Sequence, residues 1–496
     1  MKSISSYIKV LAILLSLSAC TASHPDIPEA IITVDANLRI FPDYTDVTIP
    51  SNIAPLSFMV SDSSYVDIVA CITAADGTRQ TYGKNGSVII PEKEWNALRD
   101  ASVGSSMKVA LYGQKRQTKE WIGFRSFDIF VANEAIDDYV SYRLIEPGYM
   151  LYNKISISQR QLSSYEETEI FNNQVTGDGS KGQCINCHSY QNNSTDNMLF
   201  HVRVTHGGTI LVVDGKPRKV DLKRPYTISA GVYPSWHPSE RLIAFSTDKT
   251  HQWFHTGDPN KVEVFDDASD LILYDIDRDS VHVIAADTTR LEVFPTWSPD
   301  GNYLYYCSAD AWKLKKDSDF RIDYVNLRYN VYRRSFDKQT MTFGEEETVY
   351  LADTLKRSVS LPRISPDGKY IAFAEGDYGY FNIWHHESDI KVMSLESDEP
   401  VFLDASALNT PDYAESYPSW SSDGHWIMCA SRRDDGNYSR IYISYFDGQR
   451  IHKAFEIPQK DPMHNMLRLK SYNRPEFMKE PVKVSIREFS DVVKGE

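Results

Sequence analysis

Residues 294–308 read Phe-Pro-Thr-Trp-Ser-Pro-Asp-Gly-Asn-Tyr-Leu-Tyr-Tyr-Cys-Ser, and variants of this pattern recur in the second half of the chain. Each copy predicts a short strand, a tight turn and a second, apolar strand. Proline presets φ for the turn, the aspartate side chain caps it, and glycine takes the positive φ that reverses the chain. Three more copies begin at Tyr233, Leu361 and Tyr417. Internal repetition of this kind indicates a repeat architecture.

A large apolar residue holds the same place in every copy: Trp236, Trp297, Ile364 and Trp420. These side chains are suited to wedging between adjacent sheets. Second hairpins lie between the copies, and two hairpins make a four-stranded blade. We therefore expect a β-propeller over residues 206–477 with five to seven blades, six being the expected number. Residues 198–220 and 472–477 are candidates for the blades that the four copies leave unaccounted for.

The first part of the chain has a different pattern. Residues 31–135 alternate apolar and polar side chains between turn signals, which predicts an antiparallel, immunoglobulin-like β-sandwich with one helix near residues 91–101. Residues 136–205 break this alternation and are predicted as a short helical connection, with a helix over 159–172. The overall fold class is therefore mainly β, and residues 478–496 form a C-terminal tail.

The connection contains Cys184-Ile-Asn-Cys-His188, the attachment pattern of a c-type haem. Two thiols separated by two residues can reach the two vinyl groups of one haem as thioethers. The histidine that follows, His188, then supplies the proximal imidazole for the iron. The first candidates for the distal ligand are His201 and His206. Further candidates are Met198, Met463 and His464.

Two other interpretations of the same residues remain open. Cys184 and Cys187 with His201 and His206 fit the ligand count of a zinc site, although the two histidines fall in a predicted strand and turn and not on a helix. The two cysteines are also close enough in sequence for a short-loop disulfide. Three further cysteines, Cys71, Cys307 and Cys429, each lie in an apolar run and are predicted to be small buried core residues.

The N-terminus predicts export. Lys2 and Lys9 give a positive start, and the apolar run that follows, Val10 to Leu17, is too short to span a bilayer, so residues 1–19 are interpreted as a cleaved signal. The end of this run, Leu17-Ser-Ala-Cys20, resembles a bacterial lipobox, which implies lipidation of Cys20. Residues 20–30 then form a tether. An oxidising envelope is also where disulfides persist and where haem is attached to c-type apoproteins.

Composition excludes some classes of partner. The net charge is −15, which argues against nucleic acid and against electrostatic docking to anionic lipid. A chain of 496 residues is too long to fold around one hydrophobic core, so two or three domains are expected. No Gly-x-Ser-x-Gly or His-Glu-x-x-His motif is present, and His385-His386-Glu387 has no metal-binding spacing. We do not expect an enzyme.

The Pro-Ser-Trp-Ser-Pro-Asp-Gly turns resemble the TolB-type, WD40-like repeats of Gram-negative envelope proteins. With the lipobox and the Cys-x-x-Cys-His pattern, the chain resembles a family of TolB-like, cytochrome-c-related lipoproteins. This resemblance implies a lipid-anchored protein, expected at the outer membrane, that carries one haem c for electron transfer or redox sensing. The alternative is a scaffold without haem that binds an envelope protein or peptide at the propeller face, with Cys184 and Cys187 as a disulfide or zinc clasp.

Overall fold

A computed structural model describes residues 24–146, 154–179, 181–314 and 324–496. The chain is mainly β, with 34 strands and three short α-helices in these ranges. The signal (residues 1–19) and Cys20 lie outside the described residues. No helix within the described ranges is long and apolar enough to cross a membrane.

The N-terminal module contains two sheets. The helix α1 (Glu92–Asp100) follows the last strand of the smaller sheet. The larger sheet has seven strands: β1 (Ile31–Thr33), β3 (Thr48–Ile49), β5 (Tyr65–Thr73), β6 (Arg79–Tyr82), β8 (Ser105–Lys115), β9 (Trp121–Gly123) and β10 (Phe127–Val131). The smaller sheet has three: β2 (Ile40–Phe41), β4 (Phe58–Val60) and β7 (Ser87–Val88).

The helix α1 lies within residues 91–101, where the sequence predicts a helix. The expectation of a purely antiparallel module is wrong, because β1 pairs with β9 and β3 pairs with β10 in parallel. Both β1 and β3 come from irregular, turn-rich segments and cover an outer edge of the larger sheet, where long connections permit parallel pairing. The immunoglobulin-like arrangement of the two sheets stays a prediction.

The rest of the chain forms six four-stranded antiparallel sheets. The first contains β11 (Tyr139–Ile145), β12 (Ser156–Gln161), β13 (Glu167–Asn172) and β34 (Ser471–Met478). The second contains β14 (Gln183–Gln191), β15 (Ser194–Val204), β16 (Gly208–Val213) and β17 (Lys216–Val220). The third contains β18 (Val232–Trp236), β19 (Leu242–Phe254), β20 (Val262–Asp275) and β21 (Ser280–Ala285).

The remaining three sheets follow in chain order. The fourth contains β22 (Arg290–Trp297), β23 (Tyr303–Asp310), β24 (Asn330–Asp337) and β25 (Thr342–Tyr350). The fifth contains β26 (Ser358–Ile364), β27 (Tyr370–Gly376), β28 (Asp389–Ser394) and β29 (Val401–Phe402). The sixth contains β30 (Glu415–Trp420), β31 (Trp426–Ser431), β32 (Arg440–Tyr445) and β33 (Phe455–Glu456).

The edge strands of the six sheets contact one another in a closed sequence, from β14 through β18, β22, β26 and β30 to β34 and back to β14. This is a propeller-like arrangement. Strand β34, near residue 475, pairs with β11, near residue 142, so this sheet joins two segments that are distant in sequence. Residues 472–477, suggested from sequence as part of a further blade, lie in β34 and pair with β11.

The predicted helix over residues 159–172 is wrong. Its two halves are the strands β12 and β13, joined by a turn. Ile170 and Phe171 at the end of β13 are buried in a core with Phe200. The Cys-x-x-Cys-His segment is likewise in strand β14 and not in a helical connection. Tertiary packing against neighbouring strands has overridden a polar sequence of good helix propensity.

The C-terminal residues are not an unstructured tail. The helix α3 (Ile486–Lys494) begins at Ser485, which forms a reciprocal capping box with Glu488. Phe489 and Val493 pack into the core between the first two sheets. A shorter helix, α2 (His464–Leu467), precedes β34.

The N-terminal module and the sixth sheet share one hydrophobic core. Trp95 and Leu111 of the module belong to the same buried cluster as Trp426, Ile443 and Phe455 of the sixth sheet. The module therefore packs directly on the six-sheet body.

Candidate functional site

Each of the six edge strands carries the same local distortion. One residue has φ between 50° and 56°, and the strand pairing skips it and the residue that follows, which makes a β-bulge. These residues are Cys187, Tyr233, Phe294, Leu361, Tyr417 and Arg474. A positive φ costs roughly 1–2 kcal/mol for a residue other than glycine, so its repetition marks a feature that the fold requires.

In five of the six bulges the next residue is proline. In β14 it is His188, the histidine of the Cys-x-x-Cys-His pattern. The following residues also correspond: Ser189-Tyr190 stands where Ser235-Trp236 stands in β18. The haem-like pattern is thus also a copy of the repeat. Comparison of residues 187–190 with the Pro-Ser-Trp copies could have revealed this from sequence, but the cysteines drew attention to a different motif.

The two residues between the cysteines hold the bulge in place. Ile185 is fully buried in the hydrophobic core. The Oδ1 atom of Asn186 accepts hydrogen bonds from the Cys187 backbone N–H, at 2.8 Å, and from the Arg143 guanidinium. Arg143 also donates to Asn473 Oδ1 of β34 at 2.8 Å. Asn186 therefore links the bulge of β14 to the strand that closes the ring.

A cavity of about 430 Å³ lies on the axis, on one side of the ring of bulges. This volume falls in the range of roughly 300–1,000 Å³ that is usual for sites binding small molecules or cofactors. Cys184 and Cys187 both line it, and so does His201 of β15. A second cavity of about 540 Å³, the far cavity, is lined by residues that follow the bulges, such as Trp236, Trp297 and Trp420. A narrow gap lies among the bulge residues and their prolines.

The cavity is rich in positive charge and aromatic surface. Four arginines line it, against the carboxyl groups of Glu146 and Asp248; the arginines are Arg143, Arg203, Arg432 and Arg474. Burial raises the pKa of Asp248 well above its ordinary value, and the nearby Asp266 carboxyl raises it further, so the four arginines outweigh the carboxyl groups in the cavity wall. The field inside the cavity therefore favours anions.

Arg432 and Trp384 form one rigid part of the wall. The Arg432 guanidinium carbon lies 3.4 Å from the centroid of the Trp384 ring, and its Nε donates to the Ile383 carbonyl at 2.9 Å. Burial lowers the pKa of Arg432 to about 9, which leaves it charged at neutral pH. This pair presents a flat cation–π surface to the cavity.

His201 is held for binding through one nitrogen. It lies directly opposite Asn186 across the β14–β15 pair and on the same sheet face as Cys184. Its Nδ1 lies 3.1 Å from the Thr209 hydroxyl, within hydrogen-bond distance. Burial and then the charge of Arg203 lower the pKa of His201 to about 3, so the ring is neutral. Burial also raises the pKa of the Cys184 thiol.

His188 is in a different environment. Its side chain is fully buried and does not line the axial cavity. Burial and the charges of Arg474 and Arg143 hold the pKa of His188 well below its ordinary value. The ring of Tyr190 lies 6.2 Å away, edge to face. The predicted site residues are therefore brought together only in part: Cys184, Cys187 and His201 line one cavity, and His188 does not.

The other candidate ligands do not reach the thiols. His206 is exposed in the turn after β15. Met198 is buried in the hydrophobic core on the opposite face of β15 from the cavity. Met463 lines a separate pocket next to the N-terminal module, and His464 Nε2 lies 3.2 Å from an Arg468 guanidinium nitrogen.

The zinc and disulfide interpretations find no support in the geometry. Among the residues that the structure describes, no three or more His, Cys, Asp or Glu side chains are grouped closely enough to hold a metal ion. Cys184 and Cys187 are separate thiols, and Cys71, Cys307 and Cys429 are buried as predicted.

A buried ionic cluster lies behind the cavity wall, and the sequence did not reveal it. His385 Nε2 lies 3.0 and 3.2 Å from the two carboxylate oxygens of Glu263, and its Nδ1 lies 3.5 Å from Glu387. The Tyr378 hydroxyl donates to Glu263 at 2.7 Å. Burial alone would lower the pKa of His385, but the two carboxylates raise it to about 9. His385 is therefore a fully buried member of this cluster.

No protein-family model matches the chain, and no curated protein sequence matches it. Several solved structures show a partial similarity to the chain at low sequence identity. A nidogen/laminin complex chain is 8% identical, with 69% of this chain and all of that chain covered and a TM-score of 0.37. Prolyl oligopeptidase B from Galerina marginata is 9% identical, and the match covers 70% of this chain and 42% of that enzyme at a TM-score of 0.36. The Niastella koreensis GH74 enzyme is 11% identical, covering 70% and 51% at a TM-score of 0.36.

Proposed function

We propose that this chain is an envelope lipoprotein that carries one covalently bound haem in the axial cavity of a six-bladed propeller, and that it transfers electrons or senses redox state. The observation that supports this best is that Cys184 and Cys187 open into the same cavity. Two thiols three residues apart in a strand would otherwise point to opposite faces, and the bulge at Cys187 turns both to one side.

The residues around the cavity suit the group. Haem is a flat apolar ring with two carboxylates, and the wall offers aromatic faces together with four arginines. Cys184 and Cys187 would hold the group as thioethers, each thiol adding its sulfur to one carbon of a vinyl group and its proton to the other, so that no oxidant would be needed. When bound, the group supplies one-electron chemistry at its iron. The arginines hold its carboxylates, and the enclosed wall limits the access of water.

The propeller assignment rests on the closed order of edge strands. Six sheets with one bulge each would be six blades, closed by the pairing of β34 with β11. The N-terminal module would be a sandwich packed on the sixth blade. On this proposal the far cavity, lined by repeat residues such as Trp236, Trp297 and Trp420, faces an envelope protein or peptide that exchanges electrons with the haem.

Lipidation of Cys20 would hold the protein at a membrane, for which we propose the outer membrane. Each buried methylene of an acyl chain adds about 0.8 kcal/mol to anchoring. Labelling with radioactive palmitate tests this: the wild type should take up label and sediment with outer-membrane fractions, and Cys20→Ser should do neither. A soluble wild type would contradict the anchor without bearing on the haem.

A pyridine haemochrome spectrum tests the haem directly. The protein is expressed in a host that matures c-type cytochromes, denatured, and extracted with acidified acetone. We expect one covalent haem per chain, which is converted to a single-thioether form in Cys184→Ser and in Cys187→Ser. Cys307→Ala, which removes a buried thiol of β23 away from the cavity, should keep the wild-type spectrum. A colourless wild type would overturn the proposal and leave the arginine-lined cavity as a site for another anionic ligand.

A further inference from the structure

We propose that Arg432, stacked on Trp384, is the residue that binds a carboxylate of the group in the axial cavity, and that this contact sets the orientation of the group. The vinyl edge of the group then meets Cys184 and Cys187, and its carboxylate edge meets the opposite wall. This inference rests on the proposed function, because it concerns the same group in the same cavity.

Arg432 and Trp384 stand across the cavity from the two thiols. Cys184 and Cys187 belong to β14 of the second sheet. Trp384 follows β27 of the fifth sheet, and Arg432 follows β31 of the sixth. In the closed order of edge strands the second and fifth sheets are three places apart in either direction, so they face each other across the axis. Because the vinyl groups and the carboxylates of a haem lie on different edges of the ring, a group attached at β14 presents its carboxylates to the wall that contains Trp384 and Arg432.

The other three arginines of the cavity lie on the side of the thiols. Arg203 is in β15 of the second sheet itself. Arg143 and Arg474 are in β11 and β34 of the first sheet, which is next to the second sheet in the ring. Arg474 also has a carboxylate partner, since its Nε lies 3.3 Å from Glu476 Oε1. Position in the ring therefore singles out Arg432.

Arg432 is a buried cation whose charge is not neutralised by an ion pair. The residue is only 5% exposed, and no acidic side chain among the described residues forms an ion pair with it. Asp435 contributes to its charge balance, but the Asp435 carboxylate accepts hydrogen bonds from the backbone N–H groups of Asn437 and Tyr438, both at 2.8 Å. A buried charge without a partner is costly, so the wall at Arg432 favours a bound anion.

The contacts of the Arg432 guanidinium fix its plane. It lies on the Trp384 ring, its Nε donates to the Ile383 carbonyl at 2.9 Å, and its Nη1 donates to the Asn437 carbonyl. In the part of the chain that the structure describes, nothing accepts a hydrogen bond from Nη2, which keeps both of its N–H donors. A guanidinium binds a carboxylate through N–H groups in its own plane. Arg432 can therefore hold one carboxylate in one orientation.

Binding of iron-free mesoporphyrin to the haem-free, full-length protein tests the inference. This probe carries ethyl groups in place of the vinyl groups, so it forms no thioethers, and its fluorescence reports binding. We expect the wild type to bind the free dicarboxylic acid about 10- to 100-fold more tightly than the dimethyl ester, which is the strength of a hydrogen bond between charged groups. Arg432→Gln should abolish this preference. Arg203→Gln, which changes an arginine of the same cavity on the side of the thiols, should retain it.

A second variant keeps the inference testable if Arg432→Gln does not fold. Trp384→Leu keeps the charge and removes the ring that fixes the guanidinium plane, so the preference for the free acid should fall. Equal affinities of the wild type for acid and ester, an unchanged preference in Arg432→Gln or Trp384→Leu, or an equal loss in Arg203→Gln would show that the assignment is wrong.

Haem-loaded protein separates this inference from the proposed function. The resonance Raman band of the haem carboxylates should shift in Arg432→Gln, because the band follows their hydrogen bonding, and it should stay in place in Arg203→Gln. A band at the wild-type position in Arg432→Gln contradicts the assignment while leaving the haem in place. A wild type without covalent haem contradicts the proposed function, and the porphyrin preference then still decides whether Arg432 binds a carboxylate.

Discussion

His188 stands in β14 where Pro234 stands in β18: each follows a residue with φ near 50° and lies in a two-residue bulge that the strand pairing skips. The equivalence indicates that the surroundings of His188 are set by its place in the bulge. It also means that the buried imidazole occupies a site that accepts an apolar ring in every other sheet.

His188→Pro should therefore stabilise the protein. The change removes two polar ring nitrogens from a fully buried position and reduces the freedom of the unfolded chain, together about 1–2 kcal/mol. Urea unfolding of the haem-free protein measures this. Ser189→Pro is the matched control, because Ser189 is paired with Leu199 and should lose stability. A His188→Pro variant that is less stable than the wild type would show that the bulge of β14 differs from the others.

The Glu263–His385–Glu387 cluster predicts a specific pH dependence. The pKa of His385 is raised to about 9 in the folded protein and is near 6.5 when unfolded, so its ion pairs contribute fully below pH 6.5. That contribution is lost as the pH rises towards 9. For about 2.5 pKa units the loss is on the order of 3 kcal/mol.

Unfolding free energies measured at pH 6 and pH 9.5 test this prediction. The wild type should lose more stability than His385→Gln over this interval. His282→Gln, which changes an exposed histidine of β21, should follow the wild type. Parallel curves for the wild type and His385→Gln would mean that His385 does not carry a proton in the cluster.

The strand content of the chain could be predicted where the pattern is local. The Ser-Pro-Asp-Gly turns determine their own geometry, since Pro, Asp and Gly each act within four residues. The helix predicted over residues 159–172 failed for the opposite reason. Ile170 and Phe171 are buried by β15 and α3, contacts that lie far away in sequence.

The site could be predicted only in part for the same reason. Cys184 and Cys187 are recognisable because only two residues separate them in sequence. Their neighbours Arg432 and Arg474 come from the sixth sheet and the closing strand, and only the ring brings them to the thiols. The pairing of Glu263 with His385 spans 122 residues and has no sequence signature.

The shared core predicts that the N-terminal module and the sixth sheet unfold together. Phe455→Ala in β33 should cost about 3–5 kcal/mol, because the ring is fully buried and leaves a cavity. Hydrogen exchange should become faster in β8 of the module as well as in β32. Phe130→Ala, which changes an exposed ring of β10, should cost less than about 1 kcal/mol. Faster exchange confined to the sixth sheet would show that the two parts unfold separately.

Closure of the ring by β34 leads to the last prediction. Deletion of residues 471–496 removes β34, exposes the free edge of β11 and takes away Arg474 and Asn473, to which Arg143 is bound. An open sheet edge favours aggregation, and an open ring loses the contacts of β34 with both β30 and β14. We expect the shortened chain to aggregate or to unfold without a cooperative transition. Deletion of residues 486–496 alone removes α3 and should leave a cooperative, less stable protein, because the ring stays closed. A cooperative transition in the longer deletion, with protected amides in β11, would show that the six sheets hold together without the strand that joins the two ends.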